Sequence, residues 1–172
     1  MHHAIISSMA FSSGIYGSWQ RLQKEKFVQI KKHLGPLSDE IFGNKIILDV
    51  GCGFGYLEDE FKEKFIGVDK DITMLKNSVA IFPKVLANAK DLPFLDGSFD
   101  VVISIDTMHT VEGLDFQRIL KEGGICLLSI FFNDENYSQR RGMLMEKVSG
   151  MKVLHEFELL GREKEYVIIA KK

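Results

Sequence analysis

Only two cysteines, three prolines and a single tryptophan occur among the 172 residues. Cys52 and Cys126 lie far apart and belong to no metal-type spacing, so they read as reduced thiols, and neither a disulfide framework nor a metal site is expected. Long hydrophobic runs are missing as well. The longest, 125–132, falls far short of the roughly 20 residues that cross a bilayer, and the N-terminus lacks the apolar core of a signal peptide. A cytoplasmic chain with no membrane partner is the expectation. Charge of one sign is also lacking: 22 lysines and arginines stand against 24 acids, for a net charge of -2. No overall positive field exists to collect nucleic acid. Repeats, low-complexity tracts and Pro/Gly/Ser-rich linkers are absent, which leaves one domain, 15–172, behind an N-terminal extension, 1–14, expected to be mobile.

What is present is an ordinary globular composition, 45% hydrophobic and 27% charged, long enough to bury a sizeable core. From Ser18 onward, Trp19, Leu22, Phe27, Ile30 and Leu34 share one side of a helix that Gly35-Pro36 stops. Strands are expected at 46–50, 65–69, 85–87, 99–105 and 125–132, with helices near 56–64, 71–80 and 113–120 between them. Val101-Val102-Ile103 is apolar on both faces, as buried parallel strands are. Such alternation argues for an α/β fold, a doubly wound and mostly parallel sheet with helices on both faces. Ligands then sit at the carboxyl ends of the strands. A helix over 135–149 precedes two strand-like runs, 152–160 and 165–170, that form a closing hairpin around Gly161.

Directly after the first strand, LDVGCGFG (48–55) places Gly51, Gly53 and Gly55 where backbone without side chains lets a ligand approach. A tight strand-to-helix turn with no ligand explains a lone glycine triplet equally well. A dinucleotide loop wants G-x-G-x-x-G, but Tyr56 stands three positions after Gly53, which weakens a nicotinamide oxidoreductase. Asp69 ends the second strand, 18 positions after Gly51, where its carboxylate can accept both hydroxyls of a ribose or merely cap the next helix.

LDVGCGFG, GVDKDITML (67–75), NAKDLPFLDGSFDVVIS (88–104) and ILKEGG (119–124) resemble, in order and at workable spacing, the successive motifs of the class I S-adenosylmethionine-dependent methyltransferases. They are most similar to the broad group containing the menaquinone and ubiquinone enzymes, and the likeness covers 46 to about 132. The resemblance implies a seven-stranded Rossmann-like sheet with a reversed C-terminal strand, and S-adenosyl-L-methionine as cofactor. It implies that Gly51, Cys52, Gly53 and Gly55 line the methionine and ribose part, that Asp49 orients the loop or the ammonium, and that Asp69 holds the ribose. Asn88 and Ala89 would contact adenine. Asparagine replaces the commoner aspartate there but keeps a carbonyl acceptor. Lys70 stands where an apolar residue usually packs on adenine; a lysine stem can do so with its ammonium in water. Ser104 and Ile105, at the end of the fourth strand, complete the cofactor set. Met74 reads as core at its helical spacing, and Cys52 as a small loop residue rather than a nucleophile.

A sulfonium methyl is already activated, so transfer needs placement and at most one base. The resemblance places a segment similar to Ser-x-x-x-Leu-His-His at 104–110, where Asp106 and His109 are the titratable candidates; a packed, structural histidine is the alternative. No Asn/Asp-Pro-Pro-aromatic motif stands there, which argues against the exocyclic-amine methylases of DNA. Tyr16 and Trp19 are either aromatic walls of an acceptor pocket or ordinary core. The crossover from His109 to Gly123 is shorter than the family's, and no substrate-binding domain is inserted. A shallow pocket suits a small planar molecule, a protruding part of a macromolecule, or a site completed by a partner protein. Arg140, Arg141 and Lys147 read as a solvated face rather than an anion site. The expected function is methyl transfer to an unidentified acceptor; the rival is a non-catalytic module that keeps the fold to bind cofactor or a partner.

Overall fold

The alternating apolar runs resolve, in the computed structural model, into strands of one sheet. It describes residues 13–172 apart from 62, 108, 109, 112 and 114, and for 13–19 the backbone only. In chain order the elements are α1 (Ser13–Leu34), α2 (Leu37–Phe42), β1 (Ile47–Val50), α3 (Tyr56–Phe61), β2 (Phe65–Asp69), α4 (Ile72–Lys76), β3 (Lys84–Leu86), β4 (Phe99–Ser104), α5 (Phe116–Ile119), β5 (Leu120–Phe132), α6 (Tyr137–Lys147), β6 (Lys152–Leu160) and β7 (Lys164–Lys171). The seven strands lie in the order β3-β2-β1-β4-β5-β7-β6. The pairs from β3 to β5 are parallel, while β7 runs antiparallel to β5 on one side and to β6 on the other. This is the mostly parallel, doubly wound sheet with a reversed last strand that the sequence implies.

Period-2 alternation along buried strands divides the core into two layers. Leu48, Val50, Val102, Leu128 and Ile168 face one layer together with Phe116, Ile119, Leu144 and Val148 of α5, α6 and its end. Ile47, Val101, Ile103, Leu127, Val167 and Ile169 face the other, covered by Phe27, Ile30 and Leu34 of α1, by Ile41 and Phe42 of α2, and by Leu57 of α3. Each such side chain contributes on the order of 1.5–3 kcal/mol by leaving water.

Several boundaries differ from the expectation. α1 begins at Ser13 rather than Ser18. α2 is additional: Gly35, at φ 53°, ends α1, and Pro36, at φ -61°, sets the angle that starts the next helix. α4 stops at Lys76, where the Asn77 side-chain amide donates to Thr73 O at 2.8 Å and closes the turn. α5 is a single turn, and β5 begins early at Leu120. That early start needs Gly123 (φ 73°) and Gly124, where a Cβ would sit 2.8 Å from Lys121 O.

Parallel registry brings the carboxyl ends of β2, β1 and β4 side by side, with Val50 opposite Val68 and Asp49 opposite Ile103. Everything expected to bind a ligand leaves the sheet there.

Candidate functional site

The loop after β1 is anchored at once: Gly51 N–H and Cys52 N–H both donate to Val68 O, at 2.8 and 3.1 Å. Gly51, Gly53 and Gly55 have φ of 85°, 53° and 73°, the left-handed region that strains any side chain. A Cβ on Gly51 would lie 2.2 Å from Thr107 Oγ1, and one on Gly55 would lie 2.6 Å from both the Phe82 ring and Ser78 Oγ. On Gly53 it would meet nothing nearer than Met74 Sδ at 3.7 Å. Two glycines are thus required by packing against protein, and Gly53 keeps its backbone open toward a ligand. Met74, expected in the core, is half-buried beside this opening; Leu75 is the buried residue of α4.

Asp69 closes the cradle. Its Oδ2 accepts from Gly53 N–H and its Oδ1 from Asp71 N–H, both at 2.9 Å. A carboxylate has about four lone-pair sites, so each oxygen keeps one for a hydroxyl. Capping of α4 falls instead to Asp71, which accepts from Thr73 N–H at 2.8 Å and Met74 N–H at 3.4 Å. Beyond β3, Ala87 N–H donates to Asp69 O at 3.1 Å and brings Asn88 alongside. Asn88 is exposed, and its Oδ1 accepts from Lys90 N–H at 3.1 Å, which fixes the amide with a second lone pair still available. Ala89 is half-buried and Lys70 exposed.

Other expected residues serve the cradle from behind. Ser104 is fully buried and donates to Val50 O at 2.7 Å, tying β4 to β1. Ile105 packs against the core layer under α1. Cys52 is buried, and burial followed by the charges of Asp49, Glu58 and Asp69 pushes its thiol far up, so it is inert. Cys126 is buried and free as well. Asp49 is sealed beneath the loop. His109 and the side chains of Tyr16 and Trp19 lie outside the described residues.

The open backbone at Gly53, the oriented carboxylate of Asp69 and the amide acceptor of Asn88 fit an adenosyl ligand. Residues 48–128 match the family described as a methyltransferase domain. The chain carries a class I methyltransferase domain. Its cofactor is S-adenosylmethionine. The human mitochondrial arginine-hydroxylase NDUFAF5 is 32% identical over 142 residues, covering 72% of this chain and 41% of that protein. The malonyl-[acyl-carrier protein] O-methyltransferase of Hamiltonella defensa is 27% identical over 137 residues, covering 73% and 51%. The chain thus spans about half the length of these curated relatives. Among solved structures, the methyltransferase complexed with the Trm112 activator of Haloferax volcanii matches with a TM-score of 0.67 at 16% identity, covering 90% and 93%, a likeness of fold.

In the methyltransferase domain, Asp106 leaves β4 at φ 55° and is fully engaged. One oxygen accepts from Phe131 N–H at 3.0 Å, and the other meets Lys26 Nζ of α1. Lys26, its side chain 5% exposed, also lies 3.1 Å from Glu165 Oε2 and 3.4 Å from Glu163 Oε2. The wholly buried Glu165 accepts from Ser129 Oγ at 2.5 Å. Burial works against every charge here. For Lys26, Glu165 and Asp106 outweigh it and raise the pKa; for Asp106, Lys26 outweighs it and holds the carboxyl below the usual range. Glu165 is pushed well above the usual carboxylate range by burial and then by Asp106. The carboxylate of Asp106, held as it is, makes a poor proton acceptor.

Lys26 also sets the height of α1. His33 stacks on Phe157, opposite Val167, whereas Lys26 reaches Glu165 and Glu163, toward the carboxyl edge of β5. At about 1.5 Å per residue, the backbone of Trp19 runs about 10 Å farther in that direction. The first turns of α1 therefore project past the edge where the cradle opens.

The sequence reading passed over Lys26, Glu58, Thr107 and Glu165. A signal existed for two: Lys26 stands four places from both Leu22 and Ile30 on the apolar stripe of α1, and Glu165 alternates with Val167 and Ile169 on one strand face. Arg141, by contrast, pairs with Glu156 at 3.0 Å on the surface, as a solvated face does. Among the described residues there is no group of three or more metal-ligating side chains and no helix long and apolar enough to cross a membrane.

Proposed function

We propose that this chain moves the methyl group of S-adenosylmethionine to an acceptor presented at the carboxyl edge of the sheet. The observation that carries this reading is the Asp69 carboxylate, held by Gly53 N–H and Asp71 N–H with lone pairs left over, beside the open backbone of Gly53. When bound, the cofactor supplies an activated sulfonium methyl, so the protein's task is placement. Asp69 accepts the ribose hydroxyls, Asn88 and the Ala89 N–H meet adenine, and Gly51, Gly53 and Ile105 bound the methionine side. His109 takes any proton the acceptor must lose, and Tyr16 and Trp19 wall the acceptor on the projecting turns of α1. The short crossover before β5 suits a flat acceptor or a site completed by a partner protein. Two buried, unpaired thiols support a reducing compartment, and we assign the cytoplasm.

Incubating the purified chain with cell extract and cofactor labelled in the methyl group tests this. Label is expected in one acceptor class, and a folded protein that binds cofactor yet never transfers label would establish the non-catalytic reading. The hydroxylase name of the human relative motivates one further arm. Mass spectrometry of the modified acceptor should show the gain of a methylene; the gain of an oxygen atom would replace methyl transfer with hydroxylation.

A further inference from the structure

Two acids lie sealed under the glycine loop, and the placement roles above use neither directly. Asp49, on β1, stands two residues before Gly51, and Glu58, in the first turn of α3, three residues after Gly55; each is only 4% exposed. Both Glu58 carboxyl oxygens are closed to solvent and go without an ordinary hydrogen-bond partner. The carboxyl of Asp49 shares that sealed space and acts on Glu58 electrostatically. Two buried carboxyls so placed repel when both are ionised, a cost that a shared proton removes. The groups facing the pair from neighbouring elements are the Cys52 thiol in the loop, Asp69 of β2 and Lys84 of β3. Lys84 Nζ is partly occupied by Ala80 O at 3.3 Å and by the Phe82 ring.

We propose that the Asp49–Glu58 pair is a proton-releasing counter-charge that distinguishes the cationic cofactor from its neutral product. The proposal rests on the cofactor site described above. With two protons the pair is neutral; with one it is a hydrogen-bonded carboxyl–carboxylate carrying a single negative charge. S-adenosylmethionine brings a sulfonium next to the loop, and in the poorly screened space beneath it that charge favours the ionised pair. One proton then passes to solvent. S-adenosylhomocysteine has the same adenosine and amino acid groups but an uncharged thioether, so it leaves the proton in place. After transfer the pair takes a proton back and loses its attraction for the ligand, which favours product release. Burial, the leading cause, lifts the Glu58 carboxyl to about 7 and Asp49 well above the usual range, so the change falls near neutral pH.

Titration calorimetry of the purified chain with each ligand, in two buffers of different ionisation enthalpy between about pH 6 and pH 8, counts the protons released. Near neutrality, S-adenosylmethionine should release a substantial fraction of a proton more than S-adenosylhomocysteine does. Its affinity should fall about three- to tenfold from pH 8 to pH 6, while the product's stays nearly level. In Glu58→Gln, of the same shape, the extra proton release and the extra pH dependence should both vanish. Should that variant fail to fold by circular dichroism, the proton count on the unaltered chain decides alone. Equal proton release with the two ligands, or an unchanged difference in folded Glu58→Gln, would overturn the proposal. Binding of neither ligand at any pH would overturn the cofactor assignment and the proposal with it.

Discussion

Replacing Lys26 by methionine keeps the length of the stem and deletes the ammonium that Asp106, Glu165 and Glu163 share. The side chain is 5% exposed and Glu165 wholly buried, whereas Glu163 is 33% exposed and can turn to water. Two carboxyls are then left without their cation. Removing one partner of a buried ion pair costs about 3–5 kcal/mol, chiefly because the other charge is stranded. The pH dependence sharpens the expectation. Asp106 has a folded-state pKa below its unfolded value, so its contribution is present above that unfolded value and is lost only as the pH falls through the folded pKa, in strong acid. Glu165 has a raised folded-state pKa, so its contribution is present below its unfolded value and is lost as the pH rises through the folded pKa. Without Lys26, burial and mutual repulsion drive Asp106 upward too, and both groups then disfavour folding as the pH rises. Urea unfolding followed by far-ultraviolet circular dichroism should show Lys26→Met about 3–5 kcal/mol less stable than the parent near pH 8 and about half as impaired near pH 5. Lys26→Arg, which keeps a cation, should recover most of the loss. A deficit below about 1 kcal/mol near pH 8, or one of equal size at both pH values, would falsify the claim that this lysine neutralises the cluster.

Asp69→Ala should lower S-adenosylmethionine affinity about tenfold to a thousandfold, and Asn88→Ala about tenfold or less, because the first removes a charged acceptor of two hydroxyls and the second one neutral bond. Asp69→Ala should also cost about 1–3 kcal/mol of stability without ligand, since Gly53 N–H and Asp71 N–H lose their acceptor; calorimetry and urea unfolding read the two effects, and near-normal affinity in the folded variant would move the ribose elsewhere. Gly51→Ala should be destabilised beyond the roughly 1–2 kcal/mol of a left-handed non-glycine residue, because its Cβ would strike Thr107. Adding Thr107→Gly should restore the steric part alone, and a melting temperature unmoved by the second change would discredit that contact. Ser104→Ala strips Val50 O of its buried donor and should cost about 1–3 kcal/mol in urea unfolding; no loss would mean that water reaches that carbonyl.

The mostly parallel sheet was legible because buried parallel strands and the glycine loop leave patterns in adjacent residues. The Asp69 carboxylate that we propose for the ribose was legible for the same reason, since it closes a strand. Less readable was the fate of charges that meet only after folding. Lys26 and Glu165 are 139 positions apart and come together because α1 crosses the face on which β7 alternates. Asp106 looked free to accept a proton because nothing near it in sequence announces Lys26. The glycines were indistinguishable as letters; Thr107 and Phe82, brought over them by β4 and by the segment before β3, separate two packing positions from the open one. α2 leaves little mark in the sequence because Gly-Pro reads as a stop, although its proline also sets the first turn of a helix.

The position of β7 has a consequence for synthesis. It is made after every other strand of this sheet, yet it lies inside it, pairing β5 along residues 125–132 and β6 along residues 152–160. Until residues 164–171 leave the ribosome, β5 has an unpaired edge lined by Ile125, Leu127, Leu128 and Ile130, a template for any other extended chain. At about 5–20 residues per second, the interval between finishing β5 and finishing β7 lasts about 2–8 seconds. A nascent chain of this kind should depend on chaperones while the stretch from β5 to β7 is being made. Ribosomes that stall between β5 and β7 should yield aggregates rather than a smaller folded protein.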